Sequence, residues 1–177
     1  MKSRFAISSL DLMALPANAT DLNLGINDDV LSADVEMNLN KSANLVLDYI
    51  YSNDDGHAVS AAAHMVHSAG VHHFEIGQSF LTIGPKQSQN GSLLSIGGRY
   101  SMELGFNISL KTSAYCAPSL FSFGDIDGQY ELDGRNLFQL NPALGLFVGY
   151  RNIRLQYDNR SNSTFDNGFY ICTAARF

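Results

Sequence analysis

Five histidines, His57, His64, His67, His72 and His73, fall close together in the chain. Neutral imidazole is both a metal ligand and a base near neutral pH, so a metal or acid–base site is the first chemistry to weigh. Spacing opposes it. In an extended chain successive side chains point to opposite faces, so His64 and His67 diverge. His67, His72 and His73 flank the turn Ser68-Ala69-Gly70 and read as histidines at the rim of a sheet. A hydrolase of the serine–histidine–carboxylate kind needs its groups within hydrogen-bond reach. Ser60 and His64 share a face, and Glu75 and His73 stand where a neighbouring strand could present them. No nucleophile-elbow motif supports that set. Asn53-Asp54-Asp55-Gly56 is a solvated turn that could hold Ca²⁺ weakly. Cys116 and Cys172 differ in strand parity and belong to strands that are not neighbours in a meander, which excludes the short Cβ–Cβ approach of a disulfide. No phosphate loop or dinucleotide fingerprint is present, because Gly97-Gly98 sits mid-strand. The expectation is therefore no enzyme, no metal and no cofactor.

The elements that carry these residues alternate with period two, and helical periodicity is absent. Ten segments are expected, over residues 21–27, 30–39, 44–52, 57–67, 71–83, 92–102, 107–116, 129–140, 144–157 and 168–177. Four connections are tight: Asn40-Lys41-Ser42, Ser68-Ala69-Gly70, Glu103-Leu104-Gly105 and Asn141-Pro142-Ala143. Those over 53–56, 84–91, 117–128 and 158–167 are polar and mostly longer. Short turns at one end and longer loops at the other, with an even strand count, describe an antiparallel up-and-down transmembrane β-barrel of about ten strands, eight being the alternative count. Strands of about 9–11 tilted residues suffice to cross a bilayer. Tyr49, Tyr51, Tyr100, Tyr130, Tyr150, Phe169 and Phe177 are expected near strand ends, where interfacial aromatic girdles belong.

Charge patterning decides what such a barrel would enclose. Charged residues make up 16% of the chain, well below the average for soluble proteins. One face of the segments is apolar. The other carries Asp34, Glu36, Asp48, Glu75, Glu131 and Asp133 with Arg99, Lys111, Arg135, Arg151 and Arg176. Enclosed charges must be paired, so six acids against five bases suit a narrow, charge-balanced lumen. A soluble barrel with these charges outside is the competing architecture, and alternation alone leaves open which face is inside. Two slots of apolar parity hold amides, Gln78 and Asn136. The net charge of −6 and the lack of a basic stripe argue against nucleic acid.

The ends fit export. Lys2 and Arg4, the mostly apolar stretch 5–15 and Ala17-Asn18-Ala19 have the layout of a secretory signal, with Asp11 an unusual carboxylate in it. Residues 1–19 are expected to be a signal peptide and 20–177 a single barrel domain. Phe177 falls on the apolar face with Phe169 and Ile171, as an anchor of the closing strand would.

The segments Tyr51-Ser52-Asn53-Asp54-Asp55-Gly56, Leu94-Ser95-Ile96-Gly97-Gly98-Arg99-Tyr100, Ala114-Tyr115-Cys116-Ala117-Pro118-Ser119, Val148-Gly149-Tyr150-Arg151-Asn152-Ile153 and Asn167-Gly168-Phe169-Tyr170 resemble, in order and spacing, the YfaZ family of Gram-negative outer-membrane proteins. Cys116 and Cys172 depart from what such strands usually hold, which is an aromatic and a small residue. The resemblance implies an outer-membrane β-barrel of undetermined role, with no catalytic residues to carry over. Expected partners are outer-membrane lipid and, through the last strand, the barrel-assembly machinery; both termini would be periplasmic. Three functions stay open: a non-enzymatic barrel, with Ser119-Leu120-Phe121-Ser122-Phe123 exposing apolar side chains for contact; a narrow pore for small solutes; and a lipid-modifying hydrolase.

Overall fold

A computed structural model describes residues 20–84, 90–157 and 162–177. The expected signal peptide lies outside these residues, as do the middles of two expected loops, 85–89 and 158–161. Alternating side chains let each segment bury one face, and antiparallel neighbours satisfy the backbone. The strands are β1 Thr20–Ile26, β2 Val30–Asn40, β3 Ala43–Ser52, β4 Gly56–Ala69, β5 His72–Gly84, β6 Gly91–Gly105, β7 Ile108–Ala117, β8 Ser122–Gly124, β9 Ile126–Asn141, β10 Leu144–Tyr157 and β11 Ser163–Arg176. Ten of them close a barrel. β1 pairs with β11, β5 with β6, and β7 with β9. Closure leaves no long edge unpaired. β1 begins and β11 ends at the tight-turn end, beside Met37 and Leu144 respectively.

The outer wall is apolar. Leu24, Ile76, Ile96, Leu132, Val148 and Ile171 lie bare on it, while every charged residue predicted for the second face points inward. A soluble barrel has the reverse arrangement, so this is a barrel of outer-membrane type. Phe74 and Tyr100 pack against each other at 5.1 Å near the turn end, and Tyr49, Tyr51 and Tyr130 stand toward the loop end. Tyr150 and Phe169, expected at a strand end, instead meet midway along β10 and β11 at 5.2 Å. Gln78 and Asn136 face outward between apolar neighbours, Ala63 and Ile96 for one and Val148 and Leu110 for the other.

Three local departures from simple alternation matter. The turn expected over 103–105 lies at Phe106-Asn107, both in the left-handed region with φ 51° and 62°. That is the backbone of a two-residue hairpin turn, and a register slip at Glu103/Gly105 accommodates it. The connection 117–128, expected as a loop, contains a 3₁₀ turn, Ser119–Phe121, and the short β8. β7 stops at Ala117, just past the Ile96–Cys116 pair, which leaves the start of β6 paired with β5 but without a neighbour on its other side. β8 pairs with Gly91, Ser92 and Leu93 in its place. Finally, β11 starts five residues before its expected beginning. A register shift between Ile153 and Arg154 places Ile153 opposite Asp166 and Arg154 opposite Thr164. Phe165 is the extra residue of a β-bulge, so Phe165 and Asp166, successive in the chain, are both buried.

Candidate functional site

The lumen has three layers, each set by which residues alternate inward at that height. Nearest the turns is a vestibule of about 630 Å³ whose walls include Asp21, Glu36, Arg99, Lys111, Arg135 and Arg176. Above it the free space falls to about 80 Å³ among Asp34, Asp48, Glu131, Asp133, Arg151 and Tyr170. Higher still it shrinks to about 20 Å³. There the inward residues become apolar. Val30, Ile50, Leu81, Ile83, Leu93, Ile126, Ile153, Leu155 and Phe165 form one buried cluster across the barrel at its loop end, with Leu93 wholly inaccessible. Ten strands enclose little more than side chains can fill, and here they fill it.

The vestibule and the middle layer carry the expected charges. Arg99 donates to Glu36 at 2.5 Å and lies 3.2 Å from Glu75. Arg135 stands 3.6 Å from Asp34 and 3.5 Å from Asp133. Arg151 donates to Asp166 at 2.6 Å, and Arg176 to Asp21 at 2.7 and 3.0 Å. Neutral donors complete the network. Asn23 donates to Asp34, Asn44 to Glu36, Gln129 to Glu131 and the Tyr170 hydroxyl to Asp133 at 2.6 Å. Aromatic faces support the cations, with Arg135 5.2 Å over Phe147 and Arg151 5.1 Å over Tyr170. Asp48 sits opposite Asp34 across the β2–β3 ladder, like charges side by side. Among the described residues Asp48, Glu131 and Lys111 make no ion pair.

Sequence reasoning missed Asp21 and Asp166, the carboxylates that receive Arg176 and Arg151. Asp21 shares its face with Asn23, so alternation could have found it. Asp166 could not be found that way, because the bulge breaks the period. With both included the enclosed acids outnumber the bases, and the six-to-five balance read from alternation is corrected.

The residues weighed for chemistry separate. His64 is buried and held by Asn44 at 2.9 Å and the Tyr115 hydroxyl at 2.6 Å. Ser60 lies opposite Asp48 and Leu81, and Glu75 is occupied by Arg99, so the hydrolase set is not assembled. His73 bonds Ser68 at 2.8 Å. His72 stacks on Tyr100 and bonds its hydroxyl at 2.9 Å. His57 and His67 point outward. Among the described residues no group of three histidine, cysteine or acidic side chains is placed to hold a metal. In the Asn53–Gly56 turn the amides of Asp54 and Asp55 donate to Ser52 Oγ. The two thiols are free, Cys116 outside and Cys172 inside. Leu120 and Phe123 are exposed beside β8, and Phe177 lies exposed beyond the last β11 residue.

A family model described as YfaZ precursor matches residues 2–177. No curated protein sequence matches the chain at a significant level. Several solved structures are similar, among them the following two. One is described as a KdgM porin in complex with disordered oligogalacturonate, at 12% identity and a TM-score of 0.52, over 90% of this chain and 99% of that one. The other is the outer membrane channel DcaP of Acinetobacter baumannii, at 7% identity and a TM-score of 0.51, over 88% of this chain and 54% of that one. At these identities the likeness is one of fold.

Proposed function

The chain belongs to the YfaZ family, and on that premise we propose that it is a non-enzymatic outer-membrane barrel with a blind lumen. The tight turns and both ends of the barrel domain face the periplasm, and the vestibule opens on that side. The observation that carries this is the apolar layer at the loop end. Burying one aliphatic or aromatic side chain contributes about 1.5–3 kcal/mol, so a layer of eleven inward apolar residues across the lumen, Ala58 and Ala117 among them, is a stable seal. Small solutes entering among the ion pairs meet close-packed apolar side chains, where free space is about 20 Å³.

Planar-bilayer recording and liposome swelling with the full-length protein test this. The expected result is neither steady conductance nor swelling. Leu93→Ser combined with Phe165→Ser should admit water to the seal and bring conductance on. A wild-type barrel that conducts steadily would overturn the blind-lumen reading. The second reading, a narrow pore for small solutes, would then take its place; the porin-like fold and the charged middle layer favour it.

A further inference from the structure

The vestibule holds a set of donors that nothing in the barrel uses. Inside it, the acids Asp21, Glu36, Glu75 and Asp133 each already meet an arginine within 4 Å. Lys111 does not meet an acid. Its ammonium has no ion pair and no hydrogen bond among the described residues; the Phe147 ring lies 5.9 Å away, and Glu36 attracts it from beyond ion-pair distance. Lys111 lines the cavity together with Ser101, Ser109 and Ser113. Their placement follows from the register. Ser109 and Ser113 stand two residues either side of Lys111 on the same face of β7. Ser101 is directly opposite it on β6. The three hydroxyls likewise have no hydrogen-bond partner among the described residues. One wall of a 630 Å³ cavity therefore offers an ammonium flanked by three hydroxyl donors, with Asp21, Glu36, Glu75 and Asp133 engaged by arginines and Glu103, opposite Ser109, the one lining carboxylate without an ion pair among the described residues.

We propose that this wall, Lys111 with Ser101, Ser109 and Ser113, is a binding site for a small soluble oxyanion, a carboxylate- or phosphate-bearing polar solute entering from the tight-turn end. Charge-assisted bonds to an ammonium are the strong member of such a set, and hydroxyls rotate to donate to whatever oxygen is presented. Arg99 and Arg135 stay committed to their carboxylates and serve as walls. The direction of entry rests on the blind-lumen reading above; the site itself does not.

Isothermal titration of the full-length protein, folded in a non-ionic maltoside detergent, with inorganic phosphate and separately with glucuronate, tests the proposal. Saturable binding of either probe is expected. Lys111→Met should weaken it about tenfold or more, the loss of one charged hydrogen bond. Ser109→Ala with Ser113→Ala should weaken it less. Lys111 has no ion pair or hydrogen bond to lose and Met can still pack on Phe147, so the variant should fold, which a heat-modifiable band verifies. The serine double variant provides the second measurement should it not. No binding by the wild type, or equal binding by the wild type and the variants, overturns the site. A barrel that conducts yet binds through Lys111 would overturn the blind lumen and leave this site standing.

Discussion

At the scale of single residues, the arginines of the lumen hold the interior together. Arg99 faces two carboxylates, Glu36 at 2.5 Å and Glu75 at 3.2 Å. Removing one partner from a buried ion pair leaves uncompensated charge and costs about 3–5 kcal/mol. Arg99→Ala should therefore destabilise the barrel by that order, read as a lower urea midpoint in refolding from denaturant into lipid vesicles. Arg99→Met with Glu36→Gln and Glu75→Gln removes the charge with its partners and should recover most of the loss. A triple variant no more stable than Arg99→Ala would sink this account. Arg176 and Asp21 form the contrasting pair. Arg176 is about half exposed, and an exposed pair contributes only about 0–1 kcal/mol. Most of the charged face was legible in the sequence because alternation carries it, Asp166 beyond the bulge excepted. Which charge meets which was not, since partners such as Glu36 and Arg99 are 63 residues apart and meet only across the lumen.

At the scale of elements, two devices at the loop end do what alternation alone does not. The bulge at Phe165 turns two successive residues inward and so supplies the seal and the Arg151 carboxylate together. The strap formed by the 3₁₀ turn and β8 covers the first residues of β6. Its return depends on Gly124, whose φ is 87° and where an added Cβ would stand 2.5 Å from the Asn90 carbonyl oxygen. A branched side chain is strained there on both counts. Gly124→Val should detach β8 and leave the rest of the barrel folded. Limited proteolysis of the detergent-solubilised protein should then cut within 117–126, where the wild type resists; equal resistance would show that the strap does not depend on this turn. Composition marks 117–128 as a connection, and it cannot show that part of it forms a strand. The pairing exists because β7 ends early beside β6, a fact of register between distant segments.

For the molecule as a whole, closure through β1 and β11 makes the barrel one cooperative unit, with every long edge paired. A closed barrel resists dodecyl sulfate until boiled. The unheated, detergent-extracted protein should run faster on a gel than the boiled sample, and identical migration would count against a closed barrel. Phe177 lies on the outward side of the closing strand, exposed. The proposal that this strand engages the barrel-assembly machinery predicts that Phe177→Ala lowers the folded fraction in cells but leaves unassisted refolding into vesicles within about twofold, since a surface side chain adds little stability of its own. Loss in both settings would assign Phe177 to stability instead.

The sequence by itself determined the strands, their alternation, the choice of tight turns and the sorting of charged from apolar side chains. These are local properties, carried by period two and by turn chemistry within a few residues. Only the tertiary structure decided that the charged face is inside, that Asp21 and Asp166 complete the ion pairs, and that inward apolar residues of many strands meet as one seal. The physical reason is that each of these depends on register around a closed sheet. Leu93, Ile153 and Phe165 are unremarkable apolar residues in their own strands, and they close the lumen because closure brings them to the same height.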